Sequence, residues 1–339
     1  MKIREALQQR DNDYTFLERK FLNVGDLVSP ELSSAQVTGK SASVVIPVYN
    51  LADRVQLCLN ALSKQTFSKH NLLEVIVVDD CSSESVFERL NLDLGITIRY
   101  YRTRQNYGYG IPRNIGLLLS TSDIIVFMDS DMVAPPEFIS EQVIRHSLLD
   151  NILLVGFKEN IAIDNLRVHH GRADYQQDPR FYKDTSKYGK QSKILNIFEE
   201  TRQFKDFGHA LVLHEDSLPT GWTLLMMVIT HNLSLHRKHA IASGAFDVSL
   251  SKHWGYEDTF FGAKLIANGL YVVPFISAPC FHLNHPARKA VTKEEKMRGM
   301  DTNREIYLSK LEDNILVLTP NEFYEQNKHC LQTIDELKC

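Results

Sequence analysis

Short apolar runs alternate with helical segments through the first half of this chain, and each run stops abruptly at polar residues. Residues 43–48, 73–78, 96–102 and 124–128 are rich in valine and isoleucine and, in the main, lack the in–out alternation of a half-exposed strand. Such strands are buried on both faces, as in a parallel sheet covered by helices. Between them, residues 53–65 carry Val55, Leu59 and Leu62 at helical spacing, and further helices are expected near 85–90 and over 111–120. The expected class is α/β, a mostly parallel sheet flanked by helices. Ligands of such sheets bind beyond the carboxyl ends of the strands. Four polar tips fall there in order: Tyr49-Asn50 after Pro47-Val48, Asp79-Asp80, the 106–113 segment with Asn106, Gly110 and Arg113, and Asp129-Ser130-Asp131.

The remainder of the chain adds further elements around this unit. Residues 1–40 read as a polar helical extension ending in a Ser-rich linker. Residues 41–290 form the main domain, in which a charged, aromatic stretch over 160–220 reads as an insertion. Residues 291–339 read as a charged helical extension. Additional strands are expected at 151–157 and 270–275, a core-like stretch at 222–235 and a helix over 259–268. With 43% hydrophobic and 24% charged residues the composition is that of an ordinary globular protein. The formal net charge of −4 supplies no global basic field for nucleic acid. Five cysteines without a C-x-x-C pair fit a reducing compartment better than a disulfide framework. The N-terminus lacks the apolar core of a signal peptide, and no run reaches the ~18 apolar residues of a membrane span. A cytoplasmic protein is expected, with peripheral membrane contact left open; oligomeric state has no signal in the sequence.

The 123–131 stretch ends a buried strand in two carboxylates one residue apart. On an extended strand Asp129 and Asp131 would face the same side and address one site. Oxygen ligands of this kind suit Mg²⁺ or Mn²⁺, while the alternative is a plain Asp-rich turn. Asp79 or Asp80 is placed to accept hydrogen bonds from a base or ribose, or to cap a helix. The glycines of the 106–110 loop precede a helix and offer backbone N–H groups to an anion, with Arg113 adding charge. Trp254-Gly255-Tyr256 leads into Glu257-Asp258 at a helix start. Those acids either favour the helix dipole or do acid–base work on a sugar resting on the aromatics. His282 or His285 would complete a metal site begun by Asp131. Zinc is disfavoured because Cys280 lacks spaced partners, and His169-His170 read as solvated.

With these residues in place, the chain resembles the family-2 glycosyltransferases of the GT-A (Rossmann-like) fold over about residues 41–290. The resemblance rests on Val45-Ile46-Pro47-Val48-Tyr49-Asn50, Val77-Val78-Asp79-Asp80, Arg113-Asn114-Ile115-Gly116, Phe127-Met128-Asp129-Ser130-Asp131, Ser243-Gly244-Ala245-Phe246-Asp247 and Trp254-Gly255-Tyr256-Glu257-Asp258. The 254–285 stretch is also similar to polypeptide N-acetylgalactosaminyltransferases and chondroitin-polymerising enzymes. The resemblance implies a nucleotide-sugar donor, most often a UDP-sugar, surrounded by Pro47, Tyr49, Asn50, Asp79 or Asp80, Asn106, Gly110, Arg113, Asp129, Ser130 and Trp254. It implies Mn²⁺ or Mg²⁺ on Asp131 and His285 with Asp129 assisting. Asp258 matches the catalytic base, and Glu257 would hold the acceptor hydroxyl. Retaining relatives carry Asn at the position of Asp258, so inversion is implied. The acceptor stays open among glycan, peptide, lipid-linked and small-molecule hydroxyls. The alternatives are a retaining transferase, a nucleotidyltransferase, for which the first strand carries no phosphate-gripping motif, and a non-catalytic carbohydrate-binding protein on this fold.

Overall fold

The computed structural model describes residues 1–9, 39–69, 71–166, 168, 171–178, 228–285 and 292–337. Most of the expected 160–220 insertion, His169-His170, the Ser-rich linker and residues 222–227 lie outside them. The expected core strands form as β1 (Ser41–Val48), β2 (Leu72–Asp79), β3 (Thr97–Thr103) and β4 (Ile124–Met128). They are joined through helices α2 (Ala52–Ser63) and α3 (Gly110–Leu119), while a first helix, α1 (Ile3–Gln9), precedes them. The helix expected near 85–90 is only a 3₁₀ turn, Phe87–Arg89.

Downstream come β5 (Met132–Val133), α4 (Phe138–Leu148), β6 (Ile152–Ile161), α5 (Ile163–Leu166), β7 (Asn232–His236), α6 (Arg237–Ala242), α7 (Glu257–Ala267) and β8 (Tyr271–Leu283). The chain then forms α8 (Lys293–Lys310), α9 (Pro320–Leu331) and β9 (Ile334–Leu337). Among the described residues the nine strands make one sheet, ordered β5-β8-β6-β7-β4-β1-β2-β3-β9. Strands β1, β2, β3, β4, β6 and β8 share one direction, and β5, β7 and β9 oppose it. The core of the sheet is therefore parallel, as the continuous Val/Ile runs require, and β1 and β4 are buried almost throughout. No helix among the described residues is long and apolar enough to cross a membrane.

Register aligns the strand tips. Val48 faces Asp79 across β1 and β2, and Asp80 N–H donates to the Val48 carbonyl at 2.8 Å. Because β7 runs against β4, with Asn232 opposite Met128, its beginning rather than its end lies beside Asp129. Helix α3 crosses β1 closely at Gly116, where an added Cβ would lie 2.2 Å from Val45 Cγ1. Gly116→Ala is expected to destabilise the fold by about 1–3 kcal/mol through overpacking. A lowered urea midpoint with unchanged slope would show it.

Two expectations need correcting. The strand expected at 270–275 continues to Leu283, so His282 belongs to a strand. Pro274 and Pro279 are tolerated because, among the described residues, β5 covers only Phe281 and His282 on that side of the strand. The C-terminal extension is not purely helical either. Its last strand, β9, pairs antiparallel with β3 and closes that side of the sheet, and α9 packs on α3. The N-terminal helix is held by the same segment through a Lys2–Asn314 bridge and Ile3 N–H donating to the Asp313 carbonyl at 2.9 Å.

Candidate active site

The aligned tips and the start of α7 bring three groups of side chains to one end of the sheet. The first surrounds Asp79 and Asp80. Asp79 is fully buried, accepting from Ser82 N–H at 2.7 Å, the Tyr100 hydroxyl at 2.9 Å and Arg102 at 3.1 Å. Asp80 accepts the N–H groups of Tyr107 and Gly108, both at 2.8 Å, and Asn106 Nδ2 donates to its carbonyl at 3.0 Å. Burial raises its pKa, and those N–H groups oppose the rise. Both carboxylates thus face the protein's own donors, and Asp80 shapes the glycine loop. Asn50, at φ 63°, does similar work, its Oδ1 accepting from Ser83 N–H at 2.8 Å and Glu84 N–H at 3.2 Å. Pro47 lies inside β1 opposite Val78, and Tyr49 follows at the strand's exit. Gly110 opens α3 against Ser251, whose Oγ would lie 2.6 Å from an added Cβ.

The second group is built on Arg113. This side chain is buried and pairs with Asp129 Oδ1 at 3.0 Å. Burial works against its charge, yet Asp258, Asp129 and Glu257 outweigh it and raise its pKa. Arg113, expected beside the nucleotide, pairs with Asp129 in the structure, and the charges of Asp258 and Glu257 also act on it. Its neighbour Asn114 exchanges a pair of hydrogen bonds with the Phe246 backbone at 2.8 and 2.9 Å, pinning the 243–247 turn to α3. Asp258 accepts from the Thr230 hydroxyl at 2.9 Å and Thr230 N–H at 3.2 Å. Burial raises its pKa, with Arg113 opposing and Asp129 reinforcing. Glu257 is buried, and its Oε2 has no hydrogen-bond partner among the described residues. Burial pushes it up to about 8, aided by Asp258 and opposed by Arg113.

The third group is Asp131, His282 and His285. The expected same-side geometry of Asp129 and Asp131 does not hold, because the strand ends at Met128 and the Asp-Ser-Asp segment turns, Met132 N–H donating to the Asp129 carbonyl at 3.2 Å. Asp129 therefore meets Arg113, while Asp131 points to the histidines. Ser130 sits half-buried in the turn between them. Strand β5 pairs Met132 with His282, and Leu283 N–H donates to the Asp131 carbonyl at 2.9 Å. Asp131 Oδ2 consequently lies 3.4 Å from His282 Nε2 and 3.5 Å from His285 Nε2. One donor atom from each residue falls within 4.8 Å of the others, a spacing that serves a single cation. Asp131 Oδ1 is buried with no hydrogen-bond partner among the described residues. Burial, then Asp129, pushes Asp131 up to about 6, and burial with Lys158 holds His282 down to about 4. A neutral imidazole and an unsatisfied carboxylate oxygen are what a divalent cation needs.

These observations meet the family comparison directly. The model of glycosyl transferase family 2 matches residues 43–214. The chain belongs to glycosyl transferase family 2. Among its relatives in that family, Escherichia coli chondroitin synthase is 25% identical over 291 residues, 84% of this chain and 40% of the relative. The uncharacterized glycosyltransferase YfnE of Bacillus subtilis is 27% identical over 264 residues, 73% of this chain and 65% of YfnE. The crystal structure of Staphylococcus aureus TarS 1-349 superposes with a TM-score of 0.51 at 16% identity, covering 86% of this chain and 70% of that one, a likeness of fold. This family-2 chain spans 40%, 65% and 28% of the length of the first three relatives. The fold is accordingly that of the GT-A glycosyltransferases, and the domain is a glycosyltransferase one.

Sequence reasoning missed Thr230, which sits in an apolar stretch and reaches Asp258 only because β7 is reversed. Trp254, expected beside the donor, lies at the rim, 45% exposed, with the Lys296 ammonium 3.8 Å from its ring centre.

Proposed function

We propose that this domain transfers a sugar, with inversion, from a nucleotide-sugar donor of the UDP class to an acceptor hydroxyl. The observation that carries the reading is the alignment, at one end of the sheet, of a buried Arg113-centred carboxylate group with the Asp131–His282–His285 trio. Asp131, His282 and His285 would hold Mn²⁺ or Mg²⁺, and the mixed imidazole–carboxylate set favours Mn²⁺. Bound there, the ion supplies positive charge to the diphosphate of the donor. The 106–110 loop, shaped by Asp80, presents backbone N–H groups and the N-terminus of α3 to the nucleotide. Asp258, oriented by Thr230, takes the proton of the attacking hydroxyl, and Glu257 holds that hydroxyl. Arg113 opposes the rise that burial imposes on the Asp258 pKa and so favours the ionised form a base requires. Relatives named as chondroitin, hyaluronan and poly(ribitol-phosphate)-modifying enzymes support a glycan-type acceptor.

The test is nucleotide release from UDP-glucose, UDP-galactose, UDP-N-acetylglucosamine, UDP-N-acetylgalactosamine and GDP-mannose, with Mn²⁺ and p-nitrophenyl glycosides as acceptors. Release stimulated by acceptor from a UDP-sugar is expected; absence of release with every donor would refute the reading. The same assay has an expected pH profile. A base with a raised pKa loses activity as pH falls through that value, so the acid limb is expected above the ~4 of an ordinary carboxylate. An acid limb at or below that value would remove Asp258 as the titrating base.

A further inference from the structure

The acids at the start of α7 stand on a backbone that does not hold itself. Gly255 and Tyr256 both adopt left-handed conformations, φ 95° and 69°. Such a φ is strained for a residue that carries a Cβ. Tyr256, which takes the N-cap position, gives no side-chain cap to the helix. The restraint comes instead from α8, in the C-terminal segment. Asn303 is 0% exposed, and its Nδ2 lies 3.1 Å from the Leu250 carbonyl, 3.0 Å from that of His253 and 2.7 Å from that of Gly255. Its two N–H protons are thus spent wholly on the 250–255 loop. Around it Tyr256 packs on Tyr307, ring centres 5.3 Å apart, and Gly299 leaves room for the His253 ring, which a Cβ would meet at 3.0 Å. On its other side the loop meets the glycine loop, where Tyr109 N–H donates to the Ser251 carbonyl at 3.0 Å.

We infer that Asn303 is a positioning residue for the reaction: by gathering three loop carbonyls onto α8 it sets the backbone that aims Glu257 and Asp258. The inference rests on the transferase reading above. It makes the C-terminal helix part of the catalytic apparatus, although Asn303 lies far along the chain from the acids and belongs to no motif. Asn303 gains a consequence beyond stability because Gly255, whose carbonyl it holds, also gives Glu257 a backbone hydrogen bond that lowers the pKa of that acid. Freeing the loop removes that contact, so Glu257 loses a restraint that its own side chain shares with the 250–255 backbone.

The test compares Asn303→Ala and Asn303→Asp with Tyr307→Phe, a variant one turn away that deletes a buried hydroxyl lacking a hydrogen-bond partner among the described residues. In the nucleotide-release assay, kcat of both Asn303 variants is expected to fall about 10- to 100-fold, the scale of a small misplacement of reacting groups. Mn²⁺ and UDP-sugar dissociation constants should stay at wild-type values, and Tyr307→Phe should change neither kcat nor these constants. A reduced melting temperature with unchanged kcat would overturn the inference, leaving Asn303 as a stabilising residue only. Parallel loss of donor binding and kcat would overturn it too, as general disruption. A wild type without turnover on any donor removes the transferase reading and this inference together; an active wild type with indifferent Asn303 variants removes the inference alone.

Discussion

Asp258→Asn is expected to lower sugar transfer by about 10²- to 10⁴-fold, the usual worth of a positioned general base. The substitution keeps the size of the side chain and one of the two oxygens that accept from Thr230, at 2.9 Å from the hydroxyl and 3.2 Å from the N–H, so a melting temperature is read beside activity. What disappears is the ability to take a proton from the acceptor hydroxyl. Binding of UDP-sugar and Mn²⁺, measured by calorimetry, is expected to persist because Asp131, His282 and His285 are untouched. Arg113 meanwhile loses one of the three carboxylates that raise its pKa and retains its 3.0 Å pair with Asp129. Glu257 is freed of the neighbouring charge that helps to raise its pKa, so any residual activity should titrate at lower pH. Near-wild-type turnover by Asp258→Asn would transfer the base role elsewhere.

The second large effect concerns Asp131. Asp131→Asn is expected to remove Mn²⁺ binding and to cost transfer on the order of 10³-fold, equivalent to several kcal/mol of charge stabilisation. The physical basis is local. Asp131 is the only carboxylate of the trio, and both histidines approach the same oxygen, at 3.4 and 3.5 Å. Without that anion two imidazoles remain, and a hard divalent ion binds such a pair poorly. Mn²⁺ titration followed by electron paramagnetic resonance reads the loss independently of activity. His282→Ala and His285→Ala each should weaken Mn²⁺ binding, since both imidazoles face the carboxylate. An Asp131→Asn protein that binds Mn²⁺ like the wild type would dismiss this trio as a metal site. Chelator treatment of the wild type should reproduce the loss of transfer, and added Mn²⁺ should restore it.

Much of the site was visible in the chain because burial and strand endings are local properties. A run such as Val44-Val45-Ile46 has to be covered on both faces, and the acids closing β2 and β4 have to sit at its rim. What stayed hidden depends on pairing between distant segments. The strand expected to stop at 275 runs on to Leu283 and takes in His282, because β6 supplies a ladder for it. Thr230 reaches Asp258 through the reversed direction of β7, and β9 was concealed in a segment whose composition is that of a helix.

The alternation of apolar runs and polar tips alone determined that this chain builds a helix-covered, largely parallel sheet with acids at one end of its strands. Only the tertiary structure decided which cation or ligand partner each acid meets. On an extended strand Asp129 and Asp131 would share one side, but a single turn of backbone gives one to Arg113 and the other to two histidines. The reason is that desolvation and Coulomb interaction follow distance in space and depth from solvent, neither of which separation along the chain specifies.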